Sequence, residues 1–320
     1  MDGLIETITA LDNPSVVGLD PTLALVPPQF LEKAKQQQSQ YPHEIMDHSK
    51  LVTQAYVLFN EAVMKGIAGI VPAVKPQIAM YEAFGEAGIQ AYIDTCARAQ
   101  DLGFYVLGDI KRGDIGSTAS AYAAHLSGVE GVTQSSSWHE DAITVNPYLG
   151  SDGIDPFVTA SIHHHKDIFV LVRTSNPSSG EIQELTTADG RLVYECVADL
   201  VSVWGESSIG EYGYSRVGAV VGATHPQAGR ALRERMPHTF FLIPGYGAQG
   251  GSAQDVAAMF DDQGSGALVN SSRGIIGSWR KHVEYNPSMT FDEVFALVER
   301  SSRDAALEMR DGLRSALLQR

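Results

Sequence analysis

Residues 104–118 read FYVLGDIKRGDIGST, an apolar run that leads directly into a cluster of charged side chains. The apolar part has the composition of a buried strand, and the cluster includes Asp109, Lys111 and Asp114. Because side chains alternate across a strand, Asp109 and Lys111 are predicted to project from the same face. Gly113 is predicted to turn the chain there and carry Asp114 elsewhere. Since charges are costly to desolvate, the cluster indicates chemistry or ligand binding, with a structural ion pair as the alternative.

Seven further short apolar runs resemble this strand and are separated by segments with helical patterning. The eight predicted strands cover residues 15–20, 71–77, 104–111, 142–148, 168–174, 216–224, 239–245 and 267–272. Near-continuous apolar runs are typical of parallel strands that are buried on both faces. Eight of them predict an α/β fold in which residues 1–320 form a single (β/α)8 TIM barrel. A doubly wound open sheet gives the same alternation of strands and helices and is the alternative.

Three parts of the chain are longer than the regular alternation of strands and helices in a (β/α)8 barrel requires. About fifty residues separate the first two predicted strands, and the insertion at 21–60 contains a polar run and a Pro-Pro pair, which predicts extra helices over the mouth or base of the barrel. Apolar residues from Phe291 onward recur at helical spacing, which predicts a closing helical layer at the C-terminus. The polar stretch after Thr174 is predicted to be a long loop of the kind that covers substrates.

Composition argues against two classes of partner. The chain has 23 Lys and Arg against 38 Asp and Glu, and its net charge of −15 would repel a nucleic-acid backbone. No run approaches the ~20 continuous apolar residues needed to cross a bilayer. The first residues also lack the basic region of a signal peptide. We therefore expect a cytoplasmic protein that binds neither nucleic acid nor a membrane.

The cysteines and histidines do not predict a metal site. Cys96 and Cys196 lie far apart in helical segments without metal-ligand spacing, so neither a disulfide framework nor a zinc site is expected. The three consecutive histidines at 163–165 cannot all face one ion from regular structure, and we interpret them as a polar turn.

The ends of the predicted strands carry the candidate chemistry, because the active face of a (β/α)8 barrel is formed by the carboxyl ends of its strands. The charged residues at the first three strand ends are Asp20, Lys75, Asp109 and Lys111. Together they are predicted to alternate carboxylate and ammonium groups, which keeps a lysine protonated and usable as a general acid. Taken singly, Asp20 or Lys75 fits an ordinary loop-capping role equally well.

A glycine-rich stretch, PGYGAQGG at residues 244–251, follows the seventh strand. It formally matches the dinucleotide fingerprint, but it lies late in the chain and no acidic strand end follows at the required spacing of about twenty residues. Its backbone N–H groups could still approach an anion, and the loops after strands 7 and 8 commonly hold phosphate in barrels. Arg273, after the eighth strand, could add a bidentate contact. A structural turn is the alternative for the glycines.

These motifs together resemble the orotidine 5′-monophosphate decarboxylase family, and they occur in the right order from strand 1 to strand 8. The most specific is the DxKxxD element at residues 109–114, followed by IGST. The other matching segments are GLDP at 18–21, VKP at 74–76, TSNP at 174–177 and the 244–251 loop. The long first insertion and the RTSNPSSG loop are similar to the longer bacterial (type 2) subgroup.

The resemblance implies decarboxylation of orotidine 5′-monophosphate to uridine 5′-monophosphate and CO₂, without a cofactor or metal, as the last step of de novo pyrimidine synthesis. It implies that Lys111 protonates C6 of the pyrimidine and that Asp109 faces the departing carboxylate. Lys75 and Asp20 would complete the network and touch the ribose.

The resemblance also implies a homodimer, in which Asp114 and Thr118 reach the site of the neighbouring subunit. The remaining substrate contacts that it implies are Ser175 at the pyrimidine and Pro244, Gln249 and Arg273 around the phosphate.

Two other functions fit the same residues. A related sugar-phosphate decarboxylase or aldolase would use the DxKxxD barrel with magnesium or a lysine Schiff base. A sensor of phosphate-bearing ligands would keep the pocket without the chemistry. A complete array of charges is needless in a sensor, which favours an enzyme.

Overall fold

Eight parallel strands close into a barrel in which each strand pairs with the next in chain order and β8 pairs with β1. The computed structural model describes residues 1–39, 47–133, 135–247 and 250–320. The strands are β1 Ser15–Leu19, β2 Ala73–Pro76, β3 Tyr105–Arg112, β4 Ala142–Val145, β5 Asp167–Arg173, β6 Val217–Val221, β7 Phe241–Ile243 and β8 Ala267–Ser271. All eight predicted strands are confirmed, with ends that differ by up to three residues. Closure of the sheet excludes the doubly wound alternative.

Helices surround the barrel. They are α1 Asp2–Leu11, α2 Pro28–Gln38, α3 His48–Ile67, α4 Ala79–Glu82, α5 Gly85–Asp101, α6 Gly116–Ser127, α7 Ser151–His163, α8 Gly180–Gln183, α9 Val193–Gly205, α10 Pro226–Arg235, α11 Ala253–Ala257, α12 Arg273–Ile276 and α13 Phe291–Leu318. Short 3₁₀ turns cover Pro177–Ser179, Glu206–Ser208 and Ser278–Lys281. In the part of the chain with described coordinates, no helix is both long and apolar enough to cross a bilayer.

The inside of the barrel is filled by side chains and is not a pore. Alternate strand residues point inward and form one apolar cluster, which includes Val16, Ala73, Leu107, Phe169, Phe240 and Leu268. Leu4 and Ile5 of α1 join this cluster and close the end of the barrel where the strands begin. The opposite end, where the strands finish, is left to the polar residues.

The helices predicted after strand 1 and at the C-terminus are confirmed as α2, α3 and α13. They pack on one another through aromatic rings. The ring centroid of Phe30 in α2 lies 5.7 Å from that of Phe59 in α3 and 5.1 Å from that of Phe291 in α13. The loop predicted after Thr174 contains the 3₁₀ turn and α8. These additions leave the strand order of the barrel unchanged.

Candidate active site

The end of β3 departs from regular pairing just where the charged residues stand. Gly108 pairs with Ile143 and Arg112 pairs with Val145, so four steps along β3 match only two along β4. This bulge lets the intervening residues leave the ladder and turn toward the mouth of the barrel.

The backbone turn itself lies at Lys111, whose φ is +47°. The prediction that Gly113 makes this turn is wrong, because Gly113 has no positive φ. Gly113 instead allows close packing, since a Cβ there would lie 3.0 Å from the carbonyl oxygen of Asn146. A left-handed conformation costs a non-glycine residue about 1–2 kcal/mol and is retained where the surroundings enforce it. Here the Lys111 N–H donates to Thr144 Oγ1 at 2.9 Å.

Asp109 is the centre of the site. Its Oδ2 accepts hydrogen bonds from Lys75 Nζ at 2.8 Å and from Gln77 Nε2 at 2.9 Å. Its Oδ1 accepts from Lys111 Nζ and from Thr144 Oγ1, the latter at 3.0 Å. The carboxylate therefore has two ammonium partners and two neutral donors, drawn from three adjacent strands. As predicted, Asp109 and Lys111 meet at the strand end.

Sequence reasoning missed Gln77 and Thr144. Gln77 follows β2 and forms an isolated bridge with Asp109, whereas Thr144 lies inside β4. Neither stands in a charged motif. Their position at the ends of the two strands that flank β3 is the signal that could have identified them.

Burial and charge act in opposite directions on these groups. Asp109 is 7% exposed. Burial raises the pKa of Asp109, but the charges of Lys75 and Lys111 outweigh burial and hold that pKa well below its usual range. Burial lowers the pKa of Lys75, and the charges of Asp109 and Asp20 more than offset it, so that this pKa lies above its usual value. The carboxylate and the ammonium thus keep each other charged.

Lys111 differs from Lys75 in its access to solvent. The Lys75 side chain is buried, whereas the Lys111 side chain is 45% exposed while its ammonium contacts Asp109. The Lys111 ammonium is therefore not sealed from solvent in this structure. The physical reason is that Lys111 stands beyond the last buried layer of the barrel, at its open mouth.

Asp20 follows β1 and lies close enough to influence the pKa of Lys75. Its Oδ1 is buried and accepts no hydrogen bond from any residue that the structure describes. A buried acceptor without a partner is costly, and a ligand hydroxyl would satisfy it. The structure thus brings together Asp20, Lys75, Asp109 and Lys111, as predicted.

The loops after β7 and β8 stand beside this array. Gly245, Gly247 and Gly250 all have positive φ, at +99°, +68° and +99°. The Gly247 N–H donates to the carbonyl of Gly251 at 2.9 Å, so the loop closes on itself. Such conformations favour glycine, and they fit the alternative of a structural turn as well as the predicted phosphate loop.

Three further predicted phosphate or substrate residues belong to this region. Pro244 is half-buried, and its carbonyl accepts from the Ala223 N–H at 2.8 Å. Arg273 is exposed at the start of α12 and forms no ion pair with any residue of the described ranges. Gln249 lies outside the described residues.

Ser175 lies in the loop after β5, half-buried, and its carbonyl accepts from Thr224 Oγ1 at 3.3 Å. Asp114 and Thr118 are not brought into the array within this chain. Asp114 Oδ1 accepts from the neighbouring N–H of Ile115 at 2.8 Å, and Thr118 is exposed on α6.

Several apolar residues are exposed in the segments that carry or adjoin Asp114. Ile115 is exposed beside Asp114, and Tyr148 and Leu149 are exposed in the loop after β4, with Tyr148 exposed by 81%. The carbonyl oxygen of Asp114 lies near Gly153 at the start of α7, where a Cβ would be 3.0 Å from it. Exposed apolar groups in one place are typical of a surface that another molecule covers.

Within residues 1–39, 47–133, 135–247 and 250–320, no group of three or more His, Cys, Asp or Glu side chains is arranged to hold a metal ion.

The fold is that of the (β/α)8-barrel enzymes, and a carboxylate held between two ammonium groups lies at the mouth of the barrel. Sequence comparison specifies the family. The sequence model of the orotidine 5′-phosphate decarboxylase / HUMPS family matches residues 31–285, and the chain belongs to that family.

Relatives match over most of their length. A protein from Rhodopirellula baltica named orotidine 5′-phosphate decarboxylase is 44% identical over 261 residues, which are 81% of this chain and 82% of the relative. One of the same name from Clostridium perfringens is 36% identical over 303 residues, or 94% of each chain. The solved structure of Leishmania donovani OMP decarboxylase superposes with a TM-score of 0.71 at 29% identity, covering 99% of this chain and 98% of that one.

The depressed pKa of Asp109 predicts a pH-dependent contribution to stability. An unfolded aspartate titrates near pH ~3.9, so the stabilisation is present above that pH and is lost as the pH falls through the lower folded value. The difference in unfolding free energy between the wild type and Asp109→Asn should therefore shift against the wild type by more than about 1 kcal/mol between pH ~5 and ~2. Urea unfolding at each pH measures it.

The control is Asp304→Asn, which removes an exposed carboxylate of α13 without touching the lysines. A constant difference between the wild type and Asp109→Asn across this range would contradict the prediction.

Proposed function

We propose that this chain decarboxylates orotidine 5′-monophosphate to uridine 5′-monophosphate and CO₂, without a cofactor, as the last step of de novo pyrimidine synthesis. The observation that carries the proposal is the Asp109 carboxylate held between the ammonium groups of Lys75 and Lys111 at the barrel mouth. The names of relatives that match over most of their length support the same activity.

Lys111 is the proposed proton donor. When the bond between C6 and the carboxyl group breaks, CO₂ leaves and the electron pair stays in an in-plane C6 orbital that the pyrimidine ring cannot delocalise. An ammonium fixed at this place stabilises charge that appears only as the bond breaks. Its proton then forms the C6–H bond of the product. Lys111 is exposed enough to regain a proton from water.

The charged residues around Lys111 are also assigned roles. Asp109 is proposed to face the departing carboxylate, and its Oδ1 accepts a hydrogen bond from Lys111 Nζ. Lys75 neutralises the other oxygen of Asp109. Asp20 is proposed to accept a hydrogen bond from a ribose hydroxyl, because its buried Oδ1 has no partner in the described part of the chain.

The distant parts of the substrate are assigned to the loops. Arg273 is the proposed phosphate ligand, because it is exposed just after β8, the strand that pairs with β7 and thus neighbours the strand that leads into the glycine turn. Pro244 and Gln249 are assigned to the same end of the substrate, and Ser175 to the pyrimidine. Binding energy from these contacts would orient the ring over Lys111.

We also propose a homodimer in which Asp114 and Thr118 complete the neighbouring site. The support is that both residues lie at a surface where the apolar Ile115 is also exposed, without a contact to the array in their own chain. Exclusion of water from that surface would stabilise the dimer.

The same proposal takes residues 1–320 as one decarboxylase domain, since α1 packs into the barrel and α13 packs on α3. It also places the reaction in the cytoplasm. Cys96 and Cys196 are both free thiols, as expected in a reducing compartment. The reaction calls for neither a nucleic acid nor a membrane, and cell fractionation with an activity assay tests the location.

An ultraviolet assay separates the candidate functions. Loss of orotidine nucleotide absorbance by purified protein, unchanged by EDTA and with no added metal, is the expected result. The family description also includes HUMPS, which makes a related sugar-phosphate activity the second candidate. Sensitivity to EDTA or trapping by borohydride would favour it. Tight nucleotide binding without turnover would indicate a sensor.

Lys111→Ala should lower kcat by about 10³-fold or more while the affinity for uridine 5′-monophosphate changes little, because the ammonium acts on charge that forms during the reaction. Single-turnover rates and calorimetric binding measure the two effects. Lys166→Ala is the control. It removes a lysine that also pairs with an aspartate, Asp141, at 2.8 Å, but at the other end of the barrel. Turnover near the wild-type rate in Lys111→Ala would refute the assignment.

Arg273→Ala should raise KM by roughly 10- to 100-fold, the loss expected for a charge-assisted hydrogen bond to phosphate. The affinity for orotidine, which lacks the phosphate, should stay constant. Competition assays with orotidine and uridine 5′-monophosphate measure the contrast, and the exposed Arg303 of α13 provides a matched alanine control. An equal loss for both ligands would contradict the phosphate role.

Mixing two inactive variants tests the shared site. Lys111→Ala and Asp114→Ala subunits, unfolded and refolded together, should form hybrid dimers with one intact site if Asp114 acts across the interface. Random pairing makes half of the dimers hybrid, so activity should recover to about a quarter of the wild type. No recovery, in a mixture shown to contain hybrid dimers, would mean that Asp114 acts within its own chain.

A further inference from the structure

The end of β5 carries a buried arginine that the proposed chemistry does not use. Arg173 is 1% exposed and is the largest side chain fully buried in the described chain. A buried guanidinium must be paired and hydrogen-bonded, because its desolvation costs several kcal/mol. Its position directly before Thr174 and Ser175 places it beneath the loop assigned to the pyrimidine.

The guanidinium holds one short segment of chain. Nη1 donates to Ser179 Oγ at 2.5 Å and to Gln183 Oε1 at 3.1 Å. Nη2 pairs with Glu184 Oε1 at 2.5 Å. Glu184 is itself 53% exposed, so water screens the ion pair and its net stabilisation is small. The arrangement is more suited to holding the segment 179–184 in place than to stabilising the barrel.

A pairing irregularity aims Arg173 at this segment. Leu171 pairs with Val220 and Arg173 pairs with Val221, so β5 has one extra residue there. Phe169 and Leu171 belong to the inner face of the barrel, and strict alternation would point Arg173 the same way. The bulge redirects it toward the loop.

The segment 179–184 also contacts Thr174, the residue before Ser175. Gln183 Oε1 accepts from the Thr174 N–H at 3.0 Å, and Gln183 Nε2 donates to Thr174 Oγ1 at 2.8 Å. Arg173 and Thr174 therefore both hydrogen-bond to the side-chain amide of Gln183, which fixes the start of the loop.

The other side of Ser175 rests on the end of β6. The Gly222 N–H donates to the Arg173 carbonyl at 2.7 Å. A Cβ on Gly222 would lie 2.8 Å from Ser175 Cα, so the two backbones touch. Thr224 Oγ1 donates to the Ser175 carbonyl. The backbone of Ser175 is therefore set from two sides.

His225 completes the shell around Arg173. Arg173 Nη2 lies 3.3 Å from His225 Nδ1, a geometry in which that nitrogen accepts and the ring is neutral. Burial and the charge of Arg173 lower the pKa of His225, which agrees with a neutral ring.

We propose that Arg173 is a positioning residue for the pyrimidine site: through Gln183 and Ser179 it fixes the loop that carries Ser175, and so sets affinity for the base without touching the ligand. This inference rests on the proposed function, in which Ser175 contacts the pyrimidine. Arg173 itself is a poor target, because its loss leaves several buried groups unpaired. The test variants are therefore placed at the loop residues that hydrogen-bond to Arg173.

The test variant is Gln183→Leu, which keeps the side chain's size and removes its bonds to Arg173 and Thr174. The matched control is Glu181→Leu, an exposed position of the same short helix. Calorimetry with uridine 5′-monophosphate and with ribose 5-phosphate separates the base from the rest of the nucleotide. Affinity for uridine 5′-monophosphate should fall about tenfold in Gln183→Leu, the loss expected for one or two neutral hydrogen bonds, while affinity for ribose 5-phosphate stays within twofold.

Ser179→Ala should shift the same two affinities in the same direction by a smaller factor, and it serves if Gln183→Leu does not fold. Unchanged affinity for uridine 5′-monophosphate in the folded variants, or an equal loss for both ligands, would overturn the proposal. The wild type reports separately on the proposed function. If it fails to bind uridine 5′-monophosphate, the assignment of the activity fails, whatever the variants do.

Discussion

The site depends on one carboxylate shared by two ammonium groups. Asp109 is buried, and without Lys75 and Lys111 burial would favour its neutral form. The same contacts keep Lys75 charged in a place where a lone lysine would lose its proton. The charged form of Asp109 and the charged form of Lys75 therefore stabilise each other. Parallel pairing of neighbouring strands makes the arrangement possible, because the contacts come from β2, β3 and β4 side by side.

Backbone irregularities place the functional groups at the mouth. The bulge in β3 and the left-handed Lys111 let the Lys111 ammonium contact the carboxylate of Asp109 on the same strand. The bulge in β5 serves a similar purpose for Arg173. Both interruptions lie at strand ends, where the ladder has no further residues to keep in register. The regular, apolar middle of each strand remains intact and supports them.

A second set of charges shows that position, more than charge pattern, decides the role. Asp167 begins β5, is buried, and accepts from Tyr105 Oη at 2.7 Å and from Arg216 Nη1 at 3.3 Å. Lys166 pairs with Asp141 nearby. These groups lie where the strands begin, the end of a barrel that is associated with stability. In the sequence they resemble the charges of the active face, and only the strand direction separates the two sets.

The sequence by itself determined the eight strands and the Asp109–Lys111 pair, because apolar runs and strand alternation are local properties of consecutive residues. It also placed Asp20 and Lys75 correctly, since parallel strands bring their carboxyl ends to one edge. The contacts of Gln77 and Thr144 with Asp109 and the hydrogen bonds around Arg173 could not be predicted in this way.

Only the tertiary structure decided those partners, because neutral side chains gain a role from neighbours that are distant in the chain. It also showed that the left-handed residue is Lys111 and not Gly113. Glycine is predicted to make the turn because it has the greatest conformational freedom. The hydrogen bond from the Lys111 N–H to Thr144 on the adjacent strand stabilises the strained conformation of Lys111.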